Sequence, residues 1–173
     1  MKKDSCGLYI GSFNPMTVGH EDVLDQAADT RLFQKILVCR GSNPAKNNKE
    51  YMSMDVLRSV VQAREEQFDD MAFDAMEYTG MTHHFWRKMH DQHPEFDYTL
   101  IRGLRSIDDF ESERFYIQTV IQMAKYPIPV VYFLCQPQFS NVSSTMVRNL
   151  IDNDQYDYAE QFIAPYDPEL WRP

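Results

Sequence analysis

Short apolar runs alternate along this chain with longer stretches whose apolar positions recur every three or four residues. Leu8-Tyr9-Ile10 is the first run, and within residues 21–28 Val23, Leu24, Ala27 and Ala28 fall on one helical face. Residues 35–39, with Ile-Leu-Val in the middle, predict a second strand. Residues 53–67 predict a helix with Ser53 as its N-cap and Asp55 in its first turn. Residues 71–76 alternate with period two and predict a third strand, and 82–90 predict a helix in a segment closed by Pro94. A fourth strand is expected at 98–101. Ser106-Ile-Asp-Asp then reads as a capping box opening a long helix to about Ala124. Pro127 and Pro129 end it, residues 130–134 predict a fifth strand, and 144–151 and 156–162 two closing helices. Strand and helix alternate five times, the signature of an α/β fold: a five-stranded parallel sheet with helices on both faces. No repeat, low-complexity tract or linker interrupts the pattern, so residues 1–173 read as a single domain.

Composition narrows the function classes. With 26 acidic and 17 basic residues the net charge is −9, which disfavours a general nucleic-acid binder, because such proteins present a basic face. A small anionic ligand needs only a few placed cations and stays open. No apolar run approaches the ~18–20 residues of a membrane helix, so no membrane partner is expected. The lysines near the N-terminus have no hydrophobic export segment behind them, and a cytoplasmic location is the expectation. Cys6, Cys39 and Cys135 are odd in number and share no CxxC spacing, so they read as reduced, buried small hydrophobes. His83, His84, His90 and His93 invite a metal reading, since His90 and His93 would be neighbours on a helix. With no cysteine or HExxH frame beside them, no metal site is expected.

In open parallel sheets ligands bind beyond the carboxyl ends of the strands, so the segments after the predicted strands should form one site. They are Gly11–His20, Arg40–Lys46, Tyr78–Thr82, Arg102–Arg105 and Ser140–Arg148. Five cations, Arg40, Lys46, Arg102, Arg105 and Arg148, therefore gather on one rim of an acidic protein. Donor-rich helix starts at Gly19-His20, Ser106 and Ser143-Ser144-Thr145 join them, and helix N-termini are ready anion sites. A phosphate-rich ligand is the inference. Thr17-Val-Gly-His20 is its sharpest element: a histidine in the first helical turn is placed to donate to a phosphate oxygen, and Gly19 admits a close backbone approach.

These residues resemble a known family. Gly11–His20 is similar to the (H/T)xGH signature of the nucleotidyltransferase superfamily. Arg102-Gly-Leu-Arg105 with Asp109-Phe-Glu-Ser-Glu113 resembles the RGLR…DFExE segment of the phosphopantetheine adenylyltransferases. Asn43-Pro-Ala-Lys46 and Val142-Ser-Ser-Thr145 resemble that family's lysine loop and ISSS loop. The resemblance implies a Rossmann-like nucleotidyltransferase fold and adenylyl transfer from ATP to 4′-phosphopantetheine, giving dephospho-coenzyme A and pyrophosphate. It implies catalytic roles for His20, Lys46 and Arg102. ATP contacts would come from Ser12, Phe13, His20, Gly103, Leu104, Arg105, Glu113, Phe139, Ser140, Asn141, Val142, Ser143, Ser144 and Thr145. Ser12, Lys46, Thr82 and Arg102 would hold the acceptor. Magnesium (Mg2+) would accompany ATP, and the assembly would be a homo-oligomer, a hexamer.

The chain departs from that pattern in places. Ser12, Asn14 and Ser112 stand where the family usually has Thr, Asp and Tyr. Gly-Ser-Phe-Asn-Pro and Ser-Ser-Thr-x-x-Arg are closer to the nicotinamide mononucleotide adenylyltransferases, the alternative reading, which lack RGLR. A class I aminoacyl-tRNA synthetase shares an HxGH-type motif, but 173 residues leave no room for tRNA-binding domains. A silent nucleotide sensor would keep ATP contacts while losing His20, Lys46 or Arg102, and all three are present.

Overall fold

The short apolar runs are apolar at every position because their strands are covered on both faces. A computed structural model describes residues 3–42, 49–125 and 127–164. Its strands are β1 Asp4–Gly11, β2 Lys35–Ser42, β3 Ala72–Thr79, β4 Phe96–Leu104 and β5 Val130–Leu134. They form one sheet in the order β3-β2-β1-β4-β5, every pair parallel. The helices are α1 Val18–Asp29, α2 Met54–Gln62, α3 Thr82–Gln92, α4 Ile107–Ala124, α5 Ser144–Asp152 and α6 Tyr156–Ala159. The α/β architecture with a five-stranded parallel sheet is as the sequence predicts.

Alternate residues of each strand enter two separate cores. Tyr9, Ile36, Val38 and Ile101 pack with Val23, Leu24 and Ala27 of α1 and Val56, Leu57, Val60 and Val61 of α2. Leu8, Ile10, Leu37, Cys39 and Leu100 pack on the other face with Phe85, Trp86 and Met89 of α3 and Ile117, Val120 and Ala124 of α4. The three cysteines are free and buried. No helix among the described residues is long and apolar enough to cross a membrane.

The chain leaves β1 toward β2 and β3, then crosses back to lay β4 on β1's other side, so β1 and β4 meet at the topological switch point. Their carboxyl ends open a crevice there. Two boundaries differ from expectation in ways that shape it. Strand β4 runs on through Leu104 because Arg102, Gly103 and Leu104 pair with Tyr132, Phe133 and Leu134 of β5. The RGL segment is therefore strand and not the loop after it, and Gly103 is needed there: a Cβ would lie 2.9 Å from Val23 Cγ2, a buried atom of α1. Strand β2 likewise continues through Arg40, Gly41 and Ser42, paired to Glu77, Tyr78 and Thr79 of β3.

The helix expected over 53–67 ends at Gln62 and tightens into a 3-10 turn, Ala63–Glu66. That turn carries Arg64 into the interior, where it pairs with Glu21 and, at 2.9 Å, with Asp25 of α1. Ser53 caps α2 as predicted, its Oγ accepting from Val56 N. The capping box at Ser106 is half realised: Ser106 Oγ accepts from Asp109 N, while the Asp109 carboxylate accepts from Arg105 N instead.

Leu24 is fully buried between α1 and the sheet, whereas Leu32 is 54% exposed. Leu24→Ala is expected to cost about 2–5 kcal/mol of stability, and Leu32→Ala about 0.5 kcal/mol or less. Chemical denaturation of the two variants checks this. Equal destabilisation would contradict the packing described.

Candidate active site

Three helix starts converge on the crevice at the β1/β4 switch. Residues 11–20 enter α1, Arg105–Asp109 enter α4 and Ser143–Thr145 open α5, and together they enclose a cleft of about 320 Å³. Ser12, Phe13, His20, Arg102, Gly103, Leu104, Arg105, Glu113, Val142, Ser143, Ser144 and Thr145 all line it.

Phe13 is fully buried, in the left-handed region at φ 41°. Its ring stands edge-on to Tyr9 at 4.9 Å and to His20 at 5.2 Å, so it is a floor beneath the histidine. Any contact Phe13 makes with a ligand falls to its backbone. Thr17 is the N-cap of α1 and His20 its third residue. His20 Nδ1 accepts from the Thr17 backbone N–H at 3.0 Å, with Thr17 Oγ1 2.9 Å away. This is a capping box with histidine in place of the usual Glu or Gln. A backbone amide only donates, so Nδ1 carries no proton and the neutral ring bears its proton on Nε2. Burial, with the Arg105 cation adding to it, pushes the His20 pKa down to about 4. His20 is thus a neutral Nε2–H donor at the mouth of α1. The N-cap is itself braced: Thr17 bridges Ile163, and Ala164 N donates to Met16 O.

The cations of the rim divide into committed and uncommitted. Arg40 is not in the cleft; it is buried, with Nη1 donating to Met52 O at 2.6 Å and its other nitrogens facing Glu50 and Glu77. The expectation that it joins the anion site fails because β2's extension carries it under the segment at 49–52. Lys46 lies outside the described residues. Arg102 donates through Nε and Nη2 to both oxygens of Glu113, each at 2.6 Å, and through Nη1 to Ile10 O at 2.7 Å. The Tyr116 ring lies 5.4 Å below its guanidinium. Of its five N–H donors, three are engaged and two remain. Arg105 pairs with Asp109 at 3.0 Å. Arg148 donates to Asn14 O at 2.8 Å and Thr145 Oγ1 at 2.9 Å and forms no ion pair among the described residues. Its charge is the least compensated in the cleft.

Hydroxyls expected to meet a nucleotide are largely occupied by the protein. Ser143 Oγ caps α5 by accepting from Met146 N, and Ser144 Oγ donates to Pro15 O at 2.8 Å. What the α5 start turns to the cleft is first-turn backbone, the anion-binding end of a helix. Phe139, Ser140 and Asn141 do not line the cleft, although Phe139 backs onto Gly19: a Cβ on Gly19 would meet Phe139 at 3.7 Å, ordinary contact. Thr82 is not in the cleft either. It is buried, with its hydroxyl bonded to Tyr116 OH and 3.4 Å from Tyr78 OH. It reaches the site only through Tyr116 beneath Arg102.

Asp22 is a residue that motif reading passed over. It is buried on α1, and its Oδ2 accepts from Gln136 N at 2.8 Å and Gln26 Nε2 at 3.0 Å, tying α1 to the segment leaving β5. Asp109 was legible as half of a capping box; nothing in the local sequence marks Asp22. The four histidines at 83–93 do not gather at one point: the rings of His83 and His84 lie 4.1 Å apart, and the other two stand elsewhere. His90 packs at 5.0 Å from both Trp86 and Tyr98, while His93 lies past the end of α3 facing Glu95. Among the described residues no group of three or more His, Cys, Asp or Glu is arranged to hold a metal.

The sequence profile of the cytidylyltransferase-like family matches residues 8–150. Phosphopantetheine adenylyltransferase of Gloeobacter violaceus is 32% identical over 143 residues, spanning 83% of this chain and 81% of the relative. Its counterpart in Cytophaga hutchinsonii is 28% identical over 162 residues, spanning 92% and 95%. Among solved structures, Plasmodium falciparum nicotinic acid mononucleotide adenylyltransferase complexed with NaAD superposes with a TM-score of 0.66 at 16% identity, covering 94% of this chain and 91% of that one. At that identity the likeness establishes the fold.

The depressed pKa of His20 fixes a sign. Above pH 6.5 the ring is neutral folded or unfolded; as pH falls from 6.5 toward 4 only the unfolded chain takes the proton, so stability drains across that window. Nitrogen-15 spectra are expected to show the Nε2–H tautomer of His20 with no protonation above about pH 5. A His20 midpoint near the ordinary 6.5 would contradict the arrangement.

Proposed function

The chain belongs to the cytidylyltransferase-like family, and from that premise we propose that it transfers the adenylyl group of MgATP to 4′-phosphopantetheine, giving dephospho-coenzyme A and pyrophosphate. The observation that carries the reading is His20, held neutral with Nε2–H as its donor, in a cleft of three helix starts and Arg148, its least compensated cation. The relatives named phosphopantetheine adenylyltransferase support the acceptor.

A phosphate oxygen of the acceptor attacks the α-phosphorus, and the bond from that phosphorus to the oxygen it shares with the β-phosphate breaks. The electron pair leaves with pyrophosphate. The acceptor phosphate is already anionic, so no general base is needed and no covalent enzyme intermediate forms. The protein's work is positioning and charge stabilisation. His20 Nε2–H donates to phosphate oxygens as charge moves toward the leaving group, and being neutral it keeps its proton. Arg148 and the first turns of α1 and α5 hold the triphosphate. The two free N–H groups of Arg102, together with Lys46, hold the acceptor phosphate, and Thr82 supports that side through Tyr116.

Three arginines and two carboxylates line the cleft, a formal balance of +1, well short of what a bare triphosphate requires. The remaining counter-charge enters as the magnesium of MgATP, which is part of the substrate and needs no protein cage. The same reading includes assembly into a homo-oligomer and action in the cytosol.

Purified protein with ATP and magnesium is expected to release pyrophosphate with 4′-phosphopantetheine and to fall silent in EDTA. Release only with nicotinamide mononucleotide would overturn the acceptor assignment. His20→Ala is expected to lower kcat by about 10²–10³. Gly19→Ala separates ligand from fold. The protein's own packing accepts a Cβ there, and alanine favours a helix by up to about 1 kcal/mol. Its melting temperature should hold or rise while kcat/KM falls by about tenfold or more. Activity unchanged in Gly19→Ala would show that no ligand approaches that backbone.

A further inference from the structure

We infer that Asn14 is a positioning residue for Arg148, and that in this chain, where the family usually has Asp, the contacts with residues 49–52 select an amide. The inference rests on the reading of the cleft as a triphosphate site, and it concerns how its least compensated cation is aimed there. Asn14 Oδ1 accepts from two backbone amides, Tyr51 N at 2.7 Å and Met52 N at 3.2 Å, and Nδ2 donates to Lys49 O at 3.0 Å. Its side chain thereby fastens residues 49–52 to the loop between β1 and α1. The main-chain oxygen of the same residue accepts from Arg148 Nη1 at 2.8 Å, and Thr145 Oγ1 takes Nη2 at 2.9 Å.

The other side of this strap is gripped by α5, one turn beyond Arg148. Lys49 Nζ pairs with Asp152, and Tyr51 OH donates to Asp152 Oδ2 at 2.6 Å. The Tyr51 ring lies 5.9 Å from the Arg148 guanidinium. Arg148 therefore reaches the cleft between two braced elements, and Asn14 is the residue common to its hydrogen bond and to the strap.

Chemistry selects the amide. A carboxylate at position 14 would keep both acceptor bonds to Tyr51 and Met52. Its second oxygen, however, would face the Lys49 carbonyl where Nδ2 now donates, and its charge would compete with phosphate for Arg148. Asn14→Asp changes almost no volume and so tests this directly, with Asn14→Ser, too short to bridge to 49–52, as the second variant.

MgATP binding is measured by calorimetry on the folded full-length chain, alone and in the Arg148→Ala background. The expected result is a loss of about tenfold in MgATP affinity for Asn14→Asp, and less than about twofold further loss when it is added to Arg148→Ala. The KM for ATP should rise more than that for the acceptor. Undiminished MgATP affinity, or a full additional loss in the Arg148→Ala background, would overturn the assignment. Nitrogen-15 spectra of the Arg148 guanidinium provide a readout that needs no nucleotide: hindered rotation in the wild type, averaged in Asn14→Ser, and still hindered but shifted in Asn14→Asp, where the new carboxylate draws the guanidinium away from the cleft. If the wild type bound no MgATP, the proposed function would fall while the spectra still decided the positioning role. Identical spectra in wild type and variants would sink it.

Discussion

A parallel sheet of this kind is buried on both faces, and that constraint decides where chemistry takes place. The buried apolar residues of the strands belong to one of two cores, one on each face of the sheet. Polar groups are left with the strand ends and helix starts, where backbone donors lack partners in any case. Because β1 and β4 are neighbours whose chains depart to opposite sides, the crevice between their ends is the place where several helix starts meet. Gly103 shows how tightly this is drawn, with α1 approaching β4 so closely that a methyl group would strike Val23. The site is a consequence of the sheet order before any side chain is considered.

Within that crevice the protein spends its charges on geometry. Glu113 aligns Arg102 and Asp109 aligns Arg105, so two of the three cleft arginines meet a ligand already oriented and largely neutralised. A surface salt bridge is worth little, but these pairs fix where donors stand. His20 follows the same logic without charge. A protonated ring would lose its bond to the Thr17 amide, so the cap that starts the helix also maintains the neutral tautomer. One hydrogen bond joins local helix formation to the electrostatics of the site.

Much of this was legible in the sequence, because both-face burial leaves continuous apolar runs and caps leave local signatures. Strand β5 has the predicted bounds, Ser53 and Ser106 cap as expected, and the cleft gathers His20, Arg102 and Arg105 from segments far apart in the chain. What could not be read was the partner of each cation. Arg40 and Arg105 look alike as residues following apolar runs. One is buried under the 49–52 segment and the other opens on the cleft, a difference set by how far β2 and β4 pair with their neighbours. Thr82 and Asp22 illustrate the same limit: their hydrogen bonds span 34 and 114 residues, and no local pattern records such distances.

The hydroxyls of the Ser143-Ser144-Thr145 segment carry the point further. Residue types that suggest ligand contact are here engaged within the protein, one capping a helix, one bonded to Pro15 O and one accepting from Arg148. Such a motif shapes the anion site from behind, by holding backbone amides and a guanidinium in place. Nucleotide recognition built this way relies on groups every residue possesses, the N–H of a first helical turn, and on the side chains that fix that turn's position. Removal of one of those hydroxyls would act on the ligand through displaced backbone, and its effect should follow geometry rather than the count of direct contacts.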